Sequence, residues 1–482
     1  MRILFLLHRY LGIAVGLVMA GWCTSGVVMM YVSYPSLDAG QRMRKLAPIT
    51  WQGCCQFESM AREFGSDVID EFSVEMVARR PILRFKPAQG QWSVYDLLSG
   101  ARINSFDREQ AEEVASRYLG PADDSITYRE RLQRDQWTVY GGFDRDRPLH
   151  RIALGDAHGT ELYVSSRSGQ VVQQTTASER FWNWIGAVTH WIYPTILRQH
   201  TAVWAQVVIW LSLVGAFLTL VGIYIGIVRL RAAKQGAWSP YRGVNRWHHI
   251  GGFVFGVLTL AWVISGFFSM NPWGLLESKG ARAEREQLQD MWIDGSQMIA
   301  ALKLLARNNL TEVTRVESAP FDGKLYLLLF RSERGMRVNA QTLLPAALSR
   351  TEMEHAAARV WVASEAAQLD LLHADDAYYY SHHEKREFPV YRVKLNDPSR
   401  TRFYLSAIDG DIVEKVDADR RWYRWLFEAA HRWDFTSSLR ERPWWDVVLL
   451  PLLVGVGLVC FTGTYLAFRR VSPLSRHRRW RL

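Results

Sequence analysis

Residues 202–228 read AVWAQVVIWLSLVGAFLTLVGIYIGIV, an apolar run of membrane-spanning length that contains no charged residue. A bilayer core of about 30 Å needs about 20 helical residues, and this run exceeds that requirement. Three further runs meet it, at residues 10–31, 250–270 and 444–468. The sequence of 482 residues therefore predicts an α-helical membrane protein with a four-helix transmembrane bundle.

Basic residues mark one end of every run. Of the 58 lysines and arginines, 13 lie in residues 1–9, 229–246 and 469–482, which contain no acidic residue. The positive-inside rule then predicts that these three segments are cytoplasmic. Residues 32–201 and 271–443 are expected on the opposite side, which is the periplasm if the membrane is a bacterial inner membrane. The rest of the chain has 45 basic and 48 acidic residues, so the net charge of +10 does not indicate a nucleic-acid partner.

The same pattern of residues occurs twice along the chain. At an offset of 240, the first and third runs share the identities His8/His248, Gly12/Gly252, Gly16/Gly256, Trp22/Trp262, Ser25/Ser265 and Gly26/Gly266. At an offset of 241, the regions around the second and fourth runs share Arg180/Arg421, Trp184/Trp425, His190/His431, Trp204/Trp445, Gly222/Gly463, Tyr224/Tyr465 and Arg229/Arg470. Both halves start on the same side of the membrane. We therefore expect two pseudo-symmetric parallel repeats related by an axis along the membrane normal.

The external regions have the pattern of α+β domains. Residues 161–172 and 402–413 each alternate along a strand, reach Ser-Gly or Asp-Gly, and continue with a β-branched pair, which predicts a hairpin. Weaker copies lie at 92–100 and 336–345, and helical segments near 108–119 and 351–369 separate the copies. Small antiparallel sheets packed by helices are the expected architecture.

These patterns divide the chain into ten predicted segments. In order they are transmembrane helix 1 (1–31), periplasmic region 1 (32–178), a Trp-rich interfacial segment (179–201), helix 2 (202–230), a cytoplasmic loop (231–246), helix 3 (247–270), periplasmic region 2 (271–419), a second Trp-rich interfacial segment (420–443), helix 4 (444–468) and a basic cytoplasmic tail (469–482).

The duplicated motifs resemble the PepSY-associated transmembrane family, also described as iron-regulated membrane proteins. The resemblance covers nearly the whole chain and is carried by His8-Arg-Tyr-Leu-Gly12, His248-His-Ile-Gly-Gly252, the hairpin at 161–172 and Thr189-His190-Trp191. It implies PepSY-like periplasmic domains. Some members are haem-containing inner-membrane reductases that release iron from ferric siderophores. The external regions here are longer than in the shortest members, which leaves the substrate open.

Four histidines occupy equivalent positions in the two halves: His8, His248, His190 and His431. Equivalent side chains around the predicted axis face each other, so a flat macrocycle on that axis would receive one imidazole from each side. Bis-imidazole ligation saturates haem iron and suits electron transfer. We therefore predict one or two haem b groups, with His8/His248 and His190/His431 as iron ligands. Gly12 and Gly16, with the equivalent Gly252 and Gly256, would leave space for the porphyrin. Helix packing through small residues and interfacial anchoring of the histidines are the alternatives.

The remaining histidines and cysteines carry weaker signals. His249 is an alternative ligand to His248, but the equivalent position in the first half is occupied by Arg9. The position equivalent to His200 in the second half is Glu441, so the repeat offers no second histidine there. His382-His383 is expected in a solvated loop, and His150 and His158 on the surface. Adjacent Cys54 and Cys55 are poorly placed to bond each other.

Several enzyme classes lack their motifs here. We find no Walker loop, no dinucleotide fingerprint after a strand and no HExxH motif, and four cysteines are too few for a disulfide scaffold or an iron–sulfur array. The electron donor would then be a quinol or a cytoplasmic reductase.

The resulting hypothesis is an inner-membrane ferric-siderophore reductase in contact with lipid, a periplasmic iron substrate and an electron donor, with a homodimer compatible with the pattern. Two alternatives remain open. One is a membrane-anchored PepSY binding or regulatory module without redox activity, and the other is a siderophore permease component.

Overall fold

The computed structural model describes residues 1–51, 53–119, 125–231, 238–361, 368–382 and 385–471. The chain forms two compact units. The helical unit consists of Met1–Tyr34, Ser178–Ser278 and Asp419–Leu482, and the sheet unit consists of Pro35–Ala177 and Lys279–Ala418. Each unit therefore takes segments from both halves of the repeat.

The described residues form sixteen α-helices. In chain order they are α1 (Arg2–Met29), α2 (Ala39–Arg44), α3 (Phe57–Phe64), α4 (Arg108–Leu119), α5 (Ala177–Ile185), α6 (Ala187–His190), α7 (Thr195–Arg198), α8 (Thr201–Arg231), α9 (Val244–Ser269), α10 (Arg282–Gln289), α11 (Gly295–Asn308), α12 (Arg350–Val360), α13 (Ala418–Tyr423), α14 (Ala430–Arg432), α15 (Ser437–Arg440) and α16 (Trp444–Val471). A π-helix, Arg424–Ala429, joins α13 to α14.

The described residues also form fifteen strands. They are β1 (Val68–Val77), β2 (Arg80–Pro87), β3 (Ser93–Asp96), β4 (Ile126–Leu132), β5 (Leu149–Leu154), β6 (Glu161–Ser165), β7 (Val171–Thr175), β8 (Ile293–Asp294), β9 (Arg315–Phe321), β10 (Lys324–Arg331), β11 (Arg334–Asn339), β12 (Gln368–Leu372), β13 (Val390–Lys394), β14 (Arg402–Ser406) and β15 (Ile412–Val416).

The four predicted spans are confirmed as long apolar helices, and the chain is a multi-pass membrane protein with four candidate spans, α1, α8, α9 and α16. Helices α1 and α9 begin before their apolar runs and end at Met29 and Ser269, whereas α8 and α16 continue past their runs to Arg231 and Val471. Helix α1 begins at Arg2 and α9 at Val244, so His8 and His248 lie within helices, as the predicted segments 1–31 and 247–270 imply. A side chain on a regular helix has a defined direction, which a loop would not give it.

The spans form a four-helix bundle in which α1 and α9 lie on opposite corners. Each of these two helices packs against both α8 and α16. The buried centre of the bundle contains Met19, Cys23, Val263, Leu449 and Val456. This arrangement directs residues of α1 and α9 toward each other across the bundle.

Contacts recur at equivalent positions of the two halves. The Trp204 indole N–H donates to the Trp191 carbonyl oxygen at 2.9 Å, and the Trp445 indole N–H donates to the Arg432 carbonyl oxygen at 2.8 Å. Both pairs are related by the offset of 241 residues, so the repeat seen in the sequence is repeated in the hydrogen bonds.

In the sheet unit, the two predicted periplasmic regions share one sheet. Seven strands form it, in the order β11-β10-β9-β1-β2-β3, with β8 also paired to β1. Its centre is the antiparallel pair of β1 and β9, where Val74 lies opposite Val316. Helices α3 and α11 pack against each other, and their buried side chains include Phe64 and Leu302 of the same core. The two regions that were predicted as separate segments therefore share one sheet and one hydrophobic core.

Each half also has its own four-stranded antiparallel sheet, β4-β5-β6-β7 in the first and β12-β13-β14-β15 in the second. The two predicted hairpins are confirmed as β6–β7 and β14–β15. Their turns contain Gly169 at a φ of +70° and Gly410 at a φ of +83°. A side chain at either glycine would also collide with a phenylalanine ring, Phe106 or Phe321. These α+β regions with antiparallel sheets agree with the expected architecture.

Three local predictions are wrong. His150 is buried, because it lies on β5 with its ring nitrogens bonded to the Tyr128 hydroxyl and the Phe106 carbonyl oxygen. The adjacent residues Cys54 and Cys55, which pack against the main core of the sheet unit, are joined by a disulfide. Helix α12 ends at Val360, earlier than expected, and β12 already begins at Gln368.

Candidate functional site

The first histidine pair lies near the basic ends of the spans. His8 on α1 and His248 on α9 approach each other from opposite corners of the bundle, with ring centres 6.2 Å apart and an interplanar angle of 35°. The structure therefore brings together the two side chains that the repeat predicted as a pair.

The second pair lies against the opposite ends of α1 and α9. His190 on α6 and His431 on α14 have ring centres 5.9 Å apart and an interplanar angle of 68°. His190 contacts Trp22 and Ser25 of α1, which are 14 and 17 residues beyond His8. At a rise of about 1.5 Å per residue, the two pairs are separated by roughly 21–26 Å along the helix.

In the first pair, a carbonyl oxygen on a neighbouring helix holds each ring through Nδ1. His8 Nδ1 lies 3.2 Å from the Leu218 carbonyl oxygen, and His248 Nδ1 lies 3.2 Å from the Val459 carbonyl oxygen. Leu218 and Val459 are equivalent residues of the two halves, related by the offset of 241. Since a carbonyl only accepts, Nδ1 carries the proton and Nε2 is left with a lone pair.

The second pair is held in the same way by α1 and α9. His190 Nδ1 lies 3.2 Å from the Trp22 carbonyl oxygen and 3.1 Å from the Ser25 hydroxyl. His431 Nδ1 lies 3.0 Å from the Ser265 hydroxyl, the repeat mate of Ser25. The Ser25 hydroxyl itself donates to the Gly21 carbonyl oxygen, so it accepts from the ring. Nε2 is again the free nitrogen.

Glycines of neighbouring helices lie against all four rings. A Cβ at Gly222 would lie 2.7 Å from His8 Cε1, and one at Gly463 would lie 3.0 Å from His248 Cε1. At Gly26 and Gly266 the corresponding distances to His190 and His431 are 3.8 and 3.6 Å. The first pair therefore requires glycine for its rings to sit where they do, whereas the second pair has more space.

The glycines predicted to clear room for a porphyrin divide into two kinds. A Cβ at Gly12 or Gly252 would meet no atom within 4 Å, so both positions face open space. Gly16 packs against Thr464, whose hydroxyl donates to the Gly16 carbonyl oxygen, and Gly256 packs against Ile223. The packing interpretation therefore applies to Gly16 and Gly256.

Burial keeps the second pair neutral. It lowers the pKa of His190 to about 4 and that of His431 to about 3. A neutral imidazole is the form that binds a metal ion. The described residues contain no group of three or more His, Cys, Asp or Glu side chains that could hold a metal ion by themselves. A metal ion bound here would therefore need a ligand that brings its own donors.

The geometry of both pairs fits a metal ion held between two imidazoles. An imidazole nitrogen that binds a metal ion lies about 2 Å from the ion, and the centre of its ring lies about 1 Å further away. Two imidazoles on opposite sides of one metal ion would therefore have ring centres about 6 Å apart. The ring-centre distances of 6.2 Å in the first pair and 5.9 Å in the second agree with this spacing. Haem would bring four donor nitrogens of its own, so each histidine pair could supply the two further ligands that would hold it.

The other histidines that the structure describes are not part of either pair. His249 Nε2 lies 3.0 Å from the Gly226 carbonyl oxygen and its ring packs on Tyr241, so His248 is the residue that faces His8. His200 is exposed. His382 is half-buried in the sheet unit, and His383 lies outside the described residues.

Sequence reasoning missed the residues that orient the rings. Ser25, Ser265, Gly222 and Gly463 were visible as repeat identities, which was the available signal, but nothing in the sequence linked them to the histidines. The Leu218 and Val459 carbonyls leave no sequence signal, because any residue has a carbonyl.

Comparison of the chain with protein-family models, with curated proteins and with solved structures finds no match.

Proposed function

We propose that this chain is a haem b inner-membrane electron-transfer protein that reduces a periplasmic ferric siderophore. One observation carries the proposal: the imidazoles of two repeat-related pairs have ring centres 6.2 and 5.9 Å apart, and each ring is hydrogen-bonded through Nδ1, which leaves Nε2 without a hydrogen bond among the described residues. The resemblance of the duplicated motifs to PepSY-associated membrane reductases supports the substrate class.

In this proposal His8 and His248 hold one haem, and His190 and His431 hold a second. The haem would supply one-electron chemistry, and ligation by two imidazoles would suit it to electron transfer. The chain's own contribution is orientation. The carbonyls of Leu218 and Val459 and the hydroxyls of Ser25 and Ser265 keep each Nε2 available and directed.

The proposed setting is a bacterial inner membrane with both termini and the loop around residues 231–246 in the cytoplasm. The 13 basic residues of these segments support this orientation. A quinol or a cytoplasmic reductase would supply electrons, and residues 32–201 and 271–443 would face the ferric substrate in the periplasm.

The direct test is the haem-to-protein ratio and absorption spectrum of the purified full-length chain, produced with ample haem. We expect about two haems per chain with a reducible Soret band. His8→Ala, His248→Ala, His190→Ala and His431→Ala should each lower the ratio to about one, because each removes one axial ligand from one haem. His249→Ala and His200→Ala are the matched controls and should keep the wild-type ratio. A colourless wild-type preparation would refute the proposal.

Substrate reduction needs a second experiment. The chain, reduced with dithionite and separated from excess reductant, is mixed with a ferric hydroxamate siderophore, and haem reoxidation is followed. We expect reoxidation to accompany formation of ferrous iron, trapped by a ferrous-specific chelator. Haem that binds but is not reoxidised by ferric complexes would leave an electron carrier for some other acceptor and reject the reductase assignment.

A further inference from the structure

The first half of the sheet unit contains a cavity rich in cations. Its volume is about 580 Å³, within the size range of small-molecule sites. The charged residues that line it are Arg42, Lys45, Arg79, Arg117, Glu75 and Glu113. Four cations therefore face two carboxylates.

The two carboxylates are already committed to other partners. Glu75 is 1% exposed and pairs with Arg42, with Arg84 at 3.3 Å, and with Arg315. Glu113 pairs with Arg79 at 3.1 Å and lies 3.7 Å from Arg117. Lys45 lies over the Tyr118 ring, 5.4 Å from its centre, and forms no ion pair with any residue that the structure describes. The cavity thus keeps an excess of positive charge.

At the equivalent position in the second half of the sheet unit, the positive charge is balanced by carboxylates. There Arg359 on α12 pairs with Asp290 at 3.2 Å and with Asp322 at 3.0 Å. Two carboxylates from different elements thus converge on one guanidinium.

The positions correspond through the local structure of each half. Asp107 and Ser349 cap α4 and α12, and Arg117 and Arg359 lie ten residues after those caps. The hairpin turns β1–β2 and β9–β10 both have positive φ, at Ala78–Arg79 and at Asp322–Gly323.

Short helices complete the correspondence. Helices α2 and α10 end at the C-caps Lys45 and Asp290, each two residues after a buried side chain, Met43 or Leu288. The first half therefore has Lys45 and Ala78 where the second half has Asp290 and Asp322. Arg117 is retained and has Glu113 at 3.7 Å, but the two carboxylates that pair with Arg359 have no equivalent, and Lys45 stands in place of one of them.

We propose that this cavity binds a small dicarboxylate, with one carboxylate at the place that Asp322 fills in the second half and the other against Lys45, which stands where the second half has Asp290. Arg117 and Lys45 would bind the carboxylates, and charge-assisted hydrogen bonds from a guanidinium to a carboxylate are among the stronger polar contacts. The apolar wall, which includes Met76, Val77 and Val114, would cover the carbon chain between them. This binding does not depend on haem, so it is tested separately from the proposed reductase.

The test is isothermal titration calorimetry of the purified full-length chain with succinate as the probe. We expect saturable binding that Lys45→Ala and Arg117→Ala each weaken at least about tenfold. The double variant Lys45→Asp/Ala78→Asp copies the second half and should abolish binding. Asp is tolerated at the positive φ of position 78. Arg359→Ala, at the equivalent position of the second half, is the matched control and should leave the affinity unchanged.

Acetate and inorganic phosphate test the ligand class, and circular dichroism shows whether each variant is folded. Acetate should bind at least about tenfold more weakly than succinate, because it makes only one of the two contacts. No saturable succinate binding by the folded wild type, an affinity unchanged in both single variants, or equal affinity for phosphate would overturn the dicarboxylate site.

Discussion

At the scale of single residues, the second histidine pair depends on hydroxyls that hold Nδ1. Ser265→Ala removes the acceptor 3.0 Å from His431 Nδ1, in the buried interior of the bundle. Loss of such a partner typically costs a metal site about 10–100-fold in affinity. We therefore expect haem at the second pair to bind more weakly by that factor in a haem titration. Ser269→Ala is the control, since the Ser269 hydroxyl donates to the Gly266 carbonyl oxygen of its own helix. Equal affinities of the two variants would contradict the orienting role.

A second prediction at this scale concerns Glu75, which is buried among Arg42, Arg84 and Arg315. These arginines hold the pKa of Glu75 far below its usual value, although burial alone would raise it. Glu75→Gln removes the carboxylate that pairs with Arg42 and the buried Arg84 and should cost about 3–5 kcal/mol of stability. Urea unfolding followed by tryptophan fluorescence measures this cost.

The pH dependence of that cost has a definite sign. Because the folded-state pKa is depressed, the stabilisation by the Glu75 carboxylate is fully present above the usual glutamate pKa and is lost as the pH falls through the folded value. The difference between wild type and Glu75→Gln should therefore stay constant at neutral pH and shrink only in acid. Glu317→Gln, a partly exposed carboxylate on the neighbouring strand, should cost much less. A larger cost at Glu317 would contradict the argument.

At the scale of elements, helices α1 and α8 approach so closely that glycine is required at one contact. A methyl group at Gly222 would lie 2.7 Å from the His8 ring, whereas one at Gly26 would lie 3.8 Å from the His190 ring. Gly222→Ala should therefore displace His8 and lower the haem ratio from about two to about one, with an overpacking cost of about 1–3 kcal/mol. Gly26→Ala should keep both haems. The same haem content in the two variants would contradict the close-packing account.

At the scale of the whole molecule, neither half can complete the sheet unit alone. Strand β1 pairs with β9, and α3 packs on α11, so residues 1–231 by themselves would expose the edge of β1 and part of the core. Exposed strand edges with apolar faces promote aggregation. We expect residues 1–231 expressed alone to be degraded or aggregated, and coexpression with residues 238–482 to restore a folded complex, as measured by size-exclusion chromatography. A monodisperse, folded first half would contradict the shared-sheet arrangement.

Much of this architecture follows from the sequence. Apolar runs of sufficient length determine the four spans, because a lipid-embedded backbone must satisfy its own hydrogen bonds. Turn residues determine the hairpins β6–β7 and β14–β15, because few residues tolerate the required φ. The repeat offsets identified which histidines correspond, since duplicated helices place equivalent residues at equivalent positions.

Other features depend on contacts between segments that are far apart in the sequence. That β1 pairs with β9 rather than ending a separate domain depends on packing between segments more than 200 residues apart, for which no local pattern exists. The choice of His248 over His249 depends on which side of α9 faces His8, and the Leu218 and Val459 carbonyls that hold the rings are backbone groups common to every residue. Local periodicity determines elements, whereas the contacts between distant elements determine which side chains meet.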